Sequence, residues 1–137
     1  MKISKNFRLE EFTYSPIAIK EGLDNTPDEA VIARICTLVT KLLQPLRNFY
    51  GGPMLINSGY RSAKVNMLVG GAANSQHLRG EAADIKVPRP QSLLKALLKS
   101  GLEFDQAILY STFLHISYTE CGRNRRQVLY KTDARYE

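Results

Sequence analysis

The chain has 137 residues, of which 44% are hydrophobic and 23% charged, values typical of one globular domain. A domain of this length can bury a sufficient core without disulfides or a structural metal. We therefore expect any metal bound by this chain to be catalytic and not structural. The net charge is +6, and residues 51–137 carry twelve Lys and Arg against seven Asp and Glu. This bias favours an anionic partner, either nucleic acid or a bacterial cell wall.

The N-terminal segment contains no recognisable targeting signal. MKISKNFRLEEF has a lysine but no apolar stretch after it, and no segment approaches the length of a membrane span. We therefore expect synthesis in the cytoplasm without a signal peptide, and no membrane insertion. Cys36 and Cys121 lack metal-binding spacing, which predicts free thiols.

The first part of the chain is mainly helical. Residues 3–14 are expected to pack Phe7, Leu9 and Phe12 onto the body, or else to form a surface arm. The run from Thr26 to Glu29 predicts a helix start with Thr26 as N-cap and a proline in the first turn. Apolar residues at helical spacing follow through residue 49, predicting a main core helix that the proline at position 45 kinks or restarts.

The second part alternates strands with shorter helical segments. Strands are predicted over 54–59 and 82–87, with a short helix over 62–69 and a second clear helix over 91–101. Residues 72–82 are polar and contain glycine, which is typical of a site loop. Residues 105–110, 113–118 and 126–131 predict an antiparallel meander. Together these patterns predict a single α+β domain over 1–137, with helices on one face of a small antiparallel sheet.

Three side chains form a candidate metal site. The chain has two histidines, His77 in the polar loop and His115 in a predicted strand, and Asp84 lies in the small apolar strand that follows the loop. A carboxylate there needs a partner, either a cation such as Arg79 or a metal. Zinc held by His77, Asp84 and His115 would neutralise the carboxylate and leave a fourth position for water, as in catalytic zinc sites.

The sequence around these residues resembles a known peptidase family. SGYRS at 58–62, GGAANSQHLRGEAADI at 70–85 and FLHIS at 113–117 are similar to zinc D-Ala-D-Ala carboxypeptidases and L-alanyl-D-glutamate endopeptidases, which share the hedgehog fold. The pattern S-x-H-x-x-G-x-A-x-D is matched in register from Ser75 to Asp84. The resemblance implies the hedgehog/DD-peptidase fold and Zn2+ ligation by His77, Asp84 and His115.

The resemblance also implies roles for residues beside the metal. Arg61 matches a family arginine that faces the substrate, where a guanidinium can stabilise an oxyanion or hold a carboxylate; a surface salt bridge is the alternative. Ser75 is similar to a serine that lines the cleft, although a turn residue bonded to its own loop is an equal alternative. Tyr60 is a further candidate for substrate binding.

The expected acidic general base is missing from the sequence. Family members carry a carboxylate shortly before the second histidine, whereas residues 108–114 contain none. A hairpin turning at residues 111–112 is expected to carry Asp105 away from His115. The remaining candidates are Glu81, Glu103, Glu120 and Tyr110, whose phenol is better suited to donating to an oxyanion than to acting as a base.

The sequence therefore predicts a zinc peptidase that cleaves a peptide bond in bacterial peptidoglycan by means of a metal-activated water. Two alternatives stay open: a catalytically impaired zinc module that binds peptidoglycan, and a nucleic-acid-binding protein, for which the sequence has no recognised module. We expect a monomer whose partners are peptidoglycan peptides and not nucleic acid. The missing signal peptide and the similarity to phage endolysins indicate phage-type release to the cell wall.

Overall fold

The structure is a computed structural model that describes residues 1–131. Its α-helices are α1 (Leu9–Thr13), α2 (Pro16–Glu21), α3 (Glu29–Leu38), α4 (Gln44–Tyr50), α5 (Ala63–Leu68) and α6 (Pro90–Ser100). Its strands are β1 (Leu55–Ser58), β2 (Ala82–Lys86), β3 (Gln106–Leu109), β4 (Leu114–Ser117) and β5 (Gln127–Tyr130). The α+β class is confirmed, while the predicted domain boundary at residue 137 lies outside the described residues.

The five strands form one mixed sheet in the order β1-β2-β4-β3-β5. The first four strands pair antiparallel, and the predicted hairpin between β3 and β4 is present. The predicted meander is wrong for its last strand, because β5 pairs with β3 in parallel and not with β4. The segment between β4 and β5 therefore crosses from one side of β3 to the other.

The two faces of the sheet have different neighbours. Residues on one face join the main core with α3, α4 and α6; they are Ala83, Ile85, Ala107, Leu114 and Ile116. Because side chains alternate along a strand, Asp84 and His115 lie on the opposite face. There a small apolar cluster of Ile108, Tyr110 and Phe113 flanks them. The helices thus cover one face of the sheet, as predicted, and leave the other for the candidate site.

The long helical segment differs from the prediction at its start and middle. Asp28, not Thr26, is the N-cap of α3, where its carboxylate accepts a hydrogen bond from Val31 N at 2.9 Å. A π-helical turn over Val39–Leu43 joins α3 to α4, and Pro45 lies in the first turn of α4. The wider turn accommodates a proline that has no backbone N–H to donate. Phe49, at the end of the predicted core stripe, is exposed.

The opening segment packs on the body as predicted. Phe7 and Phe12 are buried in the core and their rings meet edge to face, with Leu9 partly buried beside them. The additional helix α2, capped by Ser15, had no sequence prediction. Both cysteines are free thiols. None of the helices in the described range is long and apolar enough to cross a membrane.

Candidate metal centre

Strand register places two of the candidate ligands side by side. Asp84 of β2 and His115 of β4 are directly paired across two adjacent interior strands. A cross-strand pair projects from the same face of the sheet, so both side chains point to the same place. Both are buried, with 1% and 2% of their surface exposed. The sheet therefore fixes two ligands without contribution from a flexible loop.

The third candidate ligand comes from a short 3₁₀ turn over Gln76–Arg79. Ser75 caps this turn, since its Oγ accepts a hydrogen bond from His77 N at 3.2 Å. Gly80 ends the turn with a φ of 79°, in the left-handed region that suits glycine. The serine and glycine of the matched pattern thus shape the turn that directs His77 towards β2.

The three side chains lie close enough to share one ion. Asp84 Oδ1 is 2.9 Å from His115 Nδ1 and 3.2 Å from His77 Nε2. Two ligand atoms that are each about 2 Å from a tetrahedral zinc are roughly 3.3 Å apart. Among residues 1–131, the buried Asp84 Oδ2 has no hydrogen-bond partner. These residues fit a divalent metal, which would neutralise the carboxylate; the alternative partner, Arg79, instead pairs with Glu81 at 2.8 Å.

The ionisation of the site favours metal binding. Burial lowers the pKa of His77 and outweighs the opposing effect of Asp84, while His115 and Arg61 lower it further. Burial alone would raise the pKa of Asp84, but the two imidazoles outweigh this effect and hold it far below its usual range. The site therefore offers a neutral imidazole and an anionic carboxylate, the forms in which these groups bind metals.

The segment SGYRS supports His77 from behind. Gly59 O lies 2.6 Å from His77 Nδ1, which places the ring proton on Nδ1 and leaves Nε2 free to bind a metal. Arg61 N donates to His77 O at 3.2 Å. A Cβ on residue 59 would lie 2.7 Å from Phe12 Cα and O, so only glycine allows this close approach. Sequence reasoning did not predict this role for Gly59.

Arg61 and Ser75 are both buried beside the ligands. Arg61 Nη2 lies 3.4 Å from Ser75 Oγ, and 2% of the arginine surface is exposed. This burial contradicts the alternative of a surface salt bridge for Arg61. Ser75 has the predicted turn role and also lines the cleft at His115. Functions in catalysis and in substrate binding stay predictions for Arg61 and Ser75.

A polar cleft of about 210 Å³ opens on His115. Gln76, Asp105 and Arg125 line it together with Ser75, Arg79 and His115. The hairpin places Asp105 at the end of β3 far from the turn, as expected, yet Asp105 lines the same cleft as His115. Asp105 precedes β3, with its N–H bonded to Ser117 O, and its carboxylate accepts a hydrogen bond from Gln76 Nε2 at 3.0 Å.

Asp105 is nevertheless fully engaged. Arg125 donates to its carboxylate from Nε at 3.0 Å, from Nη2 at 2.9 Å and from the backbone N at 3.1 Å. Burial would raise the pKa of Asp105, but these hydrogen bonds outweigh it and lower the pKa. A carboxylate held in this way is a weak proton acceptor and a strong anchor for Gln76 and Arg125.

The other candidate bases lie elsewhere. Glu81 pairs with Arg79 in an adjoining pocket, Glu103 is exposed, and Glu120 accepts a hydrogen bond from Thr37 Oγ1 at 3.1 Å. Of the four carboxylates considered, Asp105 is the one that lines the cleft with His115.

The two tyrosine candidates are held by packing. Tyr110 stacks on Phe113 with ring centroids 4.4 Å apart, on the same face of the sheet as His115. Tyr60 is half-buried, and burial, Asp28 and Asp24 raise the pKa of its phenol. Tyr60 lines a second pocket together with Arg61. A catalytic role for Tyr110 and a substrate-binding role for Tyr60 stay predictions.

An α+β fold with a buried set of two imidazoles and one carboxylate beside an open polar cleft has the ligand types and the open access of a catalytic-type metal site. The chain belongs to the Peptidase M15 family, whose model matches residues 5–117. Over 58 residues it is 47% identical to a zinc D-Ala-D-Ala carboxypeptidase of Streptomyces albus G. That match covers 41% of this chain and 23% of the Streptomyces protein.

Proposed function

We propose that this chain is a zinc metallopeptidase that hydrolyses a peptide bond in bacterial peptidoglycan. The observation that carries the proposal is the convergence of His77, Asp84 and His115 within one buried cluster beside a cleft. Family membership supports peptidase activity, and the similarity to a zinc D-Ala-D-Ala carboxypeptidase favours zinc and a cell-wall peptide. The net charge of +6 suits an anionic cell wall.

The ligand set suits zinc in a catalytic setting. Two imidazole nitrogens and one carboxylate oxygen are ligands that zinc accepts readily, and three protein ligands leave a fourth position open. When bound, zinc would lower the pKa of a coordinated water and polarise the scissile carbonyl. Gly59 holds His77 in the tautomer that presents Nε2, and β2 and β4 hold Asp84 and His115 at fixed register.

The remaining residues of the site would bind and orient the substrate. The guanidinium of Arg61, buried beside Ser75 and His77, can donate to an oxyanion or to a substrate carboxylate. Gln76 is oriented by Asp105 and presents an amide at the cleft next to His115. Because Asp105 is already engaged by Arg125, we assign it a positioning role and not that of general base.

Incubation with purified peptidoglycan, followed by mass spectrometry of the soluble fragments, tests the proposed function. We expect the zinc-loaded protein to release fragments with new amino and carboxyl ends, and the His115→Ala variant to release none. Asp105→Asn, which leaves the metal ligands in place, is expected to retain cleavage at a reduced rate. Binding of zinc and peptidoglycan without new chain ends after long incubation would contradict the peptidase proposal and favour a noncatalytic binding module.

A further inference from the structure

Two arginines at the cleft are fixed by buried carboxylates. Arg125 forms the bidentate pair with Asp105 described above, and Arg79 Nε donates to Glu81 Oε1 at 2.8 Å. The side chains of Asp105 and Glu81 are only 6% and 8% exposed, whereas those of Arg125 and Arg79 are 54% and 46% exposed. Each guanidinium is therefore anchored at one edge and reaches solvent at the other.

Both arginines keep donors for a ligand. Within residues 1–131, Arg79 uses Nε alone for side-chain hydrogen bonds, and Arg125 uses Nε and Nη2. Both Nη atoms of Arg79 and the Nη1 atom of Arg125 are thus available. A planar guanidinium with a fixed orientation binds carboxylates well, since little side-chain entropy remains to be lost.

The arginines connect the cleft at His115 to the adjoining pocket that contains Glu81. The cleft and this adjoining pocket share Gln76, Arg79, Asp105 and Arg125, and the adjoining pocket is also lined by Arg34 and Arg123. Four arginines against two carboxylates, both already paired, give this combined surface a positive charge. A negatively charged group would be attracted to the end of the cleft away from the metal ligands.

We propose that Arg79 and Arg125 form a subsite for a free carboxylate on the substrate peptide, a short distance along the peptide from the scissile bond. This inference rests on the proposed function, and it names the two residues that would select a peptide with a free carboxylate at this position. An acidic peptide would place its reacting bond at His115 while its carboxylate bridges the two guanidiniums. Arg61 is not part of this subsite, because it lines the pocket that contains Tyr60 and neither of the two pockets that Arg79 and Arg125 share.

Two synthetic stem peptides test the subsite, one with a free carboxylate and one in which that group is a carboxamide. We expect wild-type protein to have a KM about tenfold lower for the acid. Arg79→Gln should raise the KM for the acid towards that for the amide and leave the amide unaffected. Arg125→Lys, which keeps the charge but loses the bidentate geometry, should have an intermediate effect, while the exposed Arg89→Gln, with the same loss of charge, should have none.

Binding in the presence of a chelator, measured by calorimetry on wild-type protein, separates this proposal from the proposed function. Tighter binding of the acid than of the amide, without cleavage of either by the zinc-loaded protein, would support the subsite and contradict the peptidase. Cleavage of both peptides with the same KM, or an equal effect of Arg79→Gln on both, would overturn the subsite and leave the peptidase standing.

Discussion

Gly80 couples the candidate site to the main core. Its φ of 79° ends the 3₁₀ turn that carries His77. A Cβ at this position would lie 2.8 Å from Val31 O and 2.9 Å from Val31 Cγ1, so the turn contacts α3 through a bare backbone. Glycine at this place in the pattern is thus explained both by conformation and by space.

Replacing Gly80 with alanine should destabilise the protein more than the same change at another left-handed glycine. We expect Gly80→Ala to lose roughly 2–4 kcal/mol of unfolding free energy, from the left-handed backbone and from overpacking against Val31. Gly101→Ala is the matched control, since its φ is 74° and no atom lies within 4 Å of its Cβ position. Gly101→Ala should lower the unfolding free energy by about 1 kcal/mol. Equal losses in chemical denaturation would contradict the contact with α3.

The three candidate metal ligands could be predicted from the sequence, because their residue types and positions are unusual in this chain. His77, Asp84 and His115 are the two histidines of the chain and a carboxylate in an apolar strand, and the structure brings them together. Gln76 and Arg125 were not predicted as site residues. Glutamine and arginine are common on protein surfaces, and only the long-range contacts with Asp105 bring these two side chains to the cleft. Gly59 was missed since its contribution is a backbone carbonyl.

At the scale of elements, Asp105 joins three segments that are distant in sequence. Its carboxylate accepts hydrogen bonds from the turn at Gln76 and from Arg125 in the β4–β5 connection, and its own N–H extends the pairing of β3 with β4. The connection to β5 is otherwise exposed over much of its length. This one buried carboxylate therefore links the turn, the sheet and the β4–β5 connection at the cleft.

The lowered pKa of Asp105 predicts a pH-dependent contribution to stability. A carboxylate with a folded pKa below its unfolded value of about 3.9 stabilises the fold above that value, and this contribution is lost as the pH falls through the folded pKa. The unfolding free energies of wild type and Asp105→Asn should differ most near neutral pH and converge below about pH 4. Urea denaturation at several pH values measures this difference.

Glu103→Gln is the control for the pH experiment. It removes the same charge from an exposed carboxylate two positions away and leaves the contacts with Gln76 and Arg125 intact. A difference between wild type and Asp105→Asn that stays constant from pH 7 to acid would be inconsistent with the ion pair described here.

The elements themselves were predicted to different degrees, for physical reasons. Helix and strand periodicity is local, so the main helical segment, α6 and all five strands were predicted near their observed positions. The parallel pairing of β5 with β3 depends on how the exposed connection crosses the sheet, which the alternation of β5 cannot reveal. The π-helical turn before Pro45 likewise reflects the fit of the helix to the core, in which Val39, Leu42 and Leu43 are fully buried.

The whole molecule is organised by the two faces of its sheet. One face is packed by the helices, and β2 and β4 are adjacent interior strands of the sheet. The other face carries Asp84 and His115, and the turn with His77 closes over them from one side. A rigid apolar layer beneath and a polar cleft above are what a preorganised metal site requires.

The zinc content of wild type and single variants, measured at equilibrium against a competing chelator, tests the central claim most directly. We predict one zinc ion per chain in wild type and in the control Asp105→Asn. In His77→Ala, Asp84→Asn and His115→Ala the affinity should fall by more than about 100-fold, since even partners behind the ligands contribute about 10–100-fold. Undiminished zinc binding in any of these three variants, or no binding in wild type, would contradict the site.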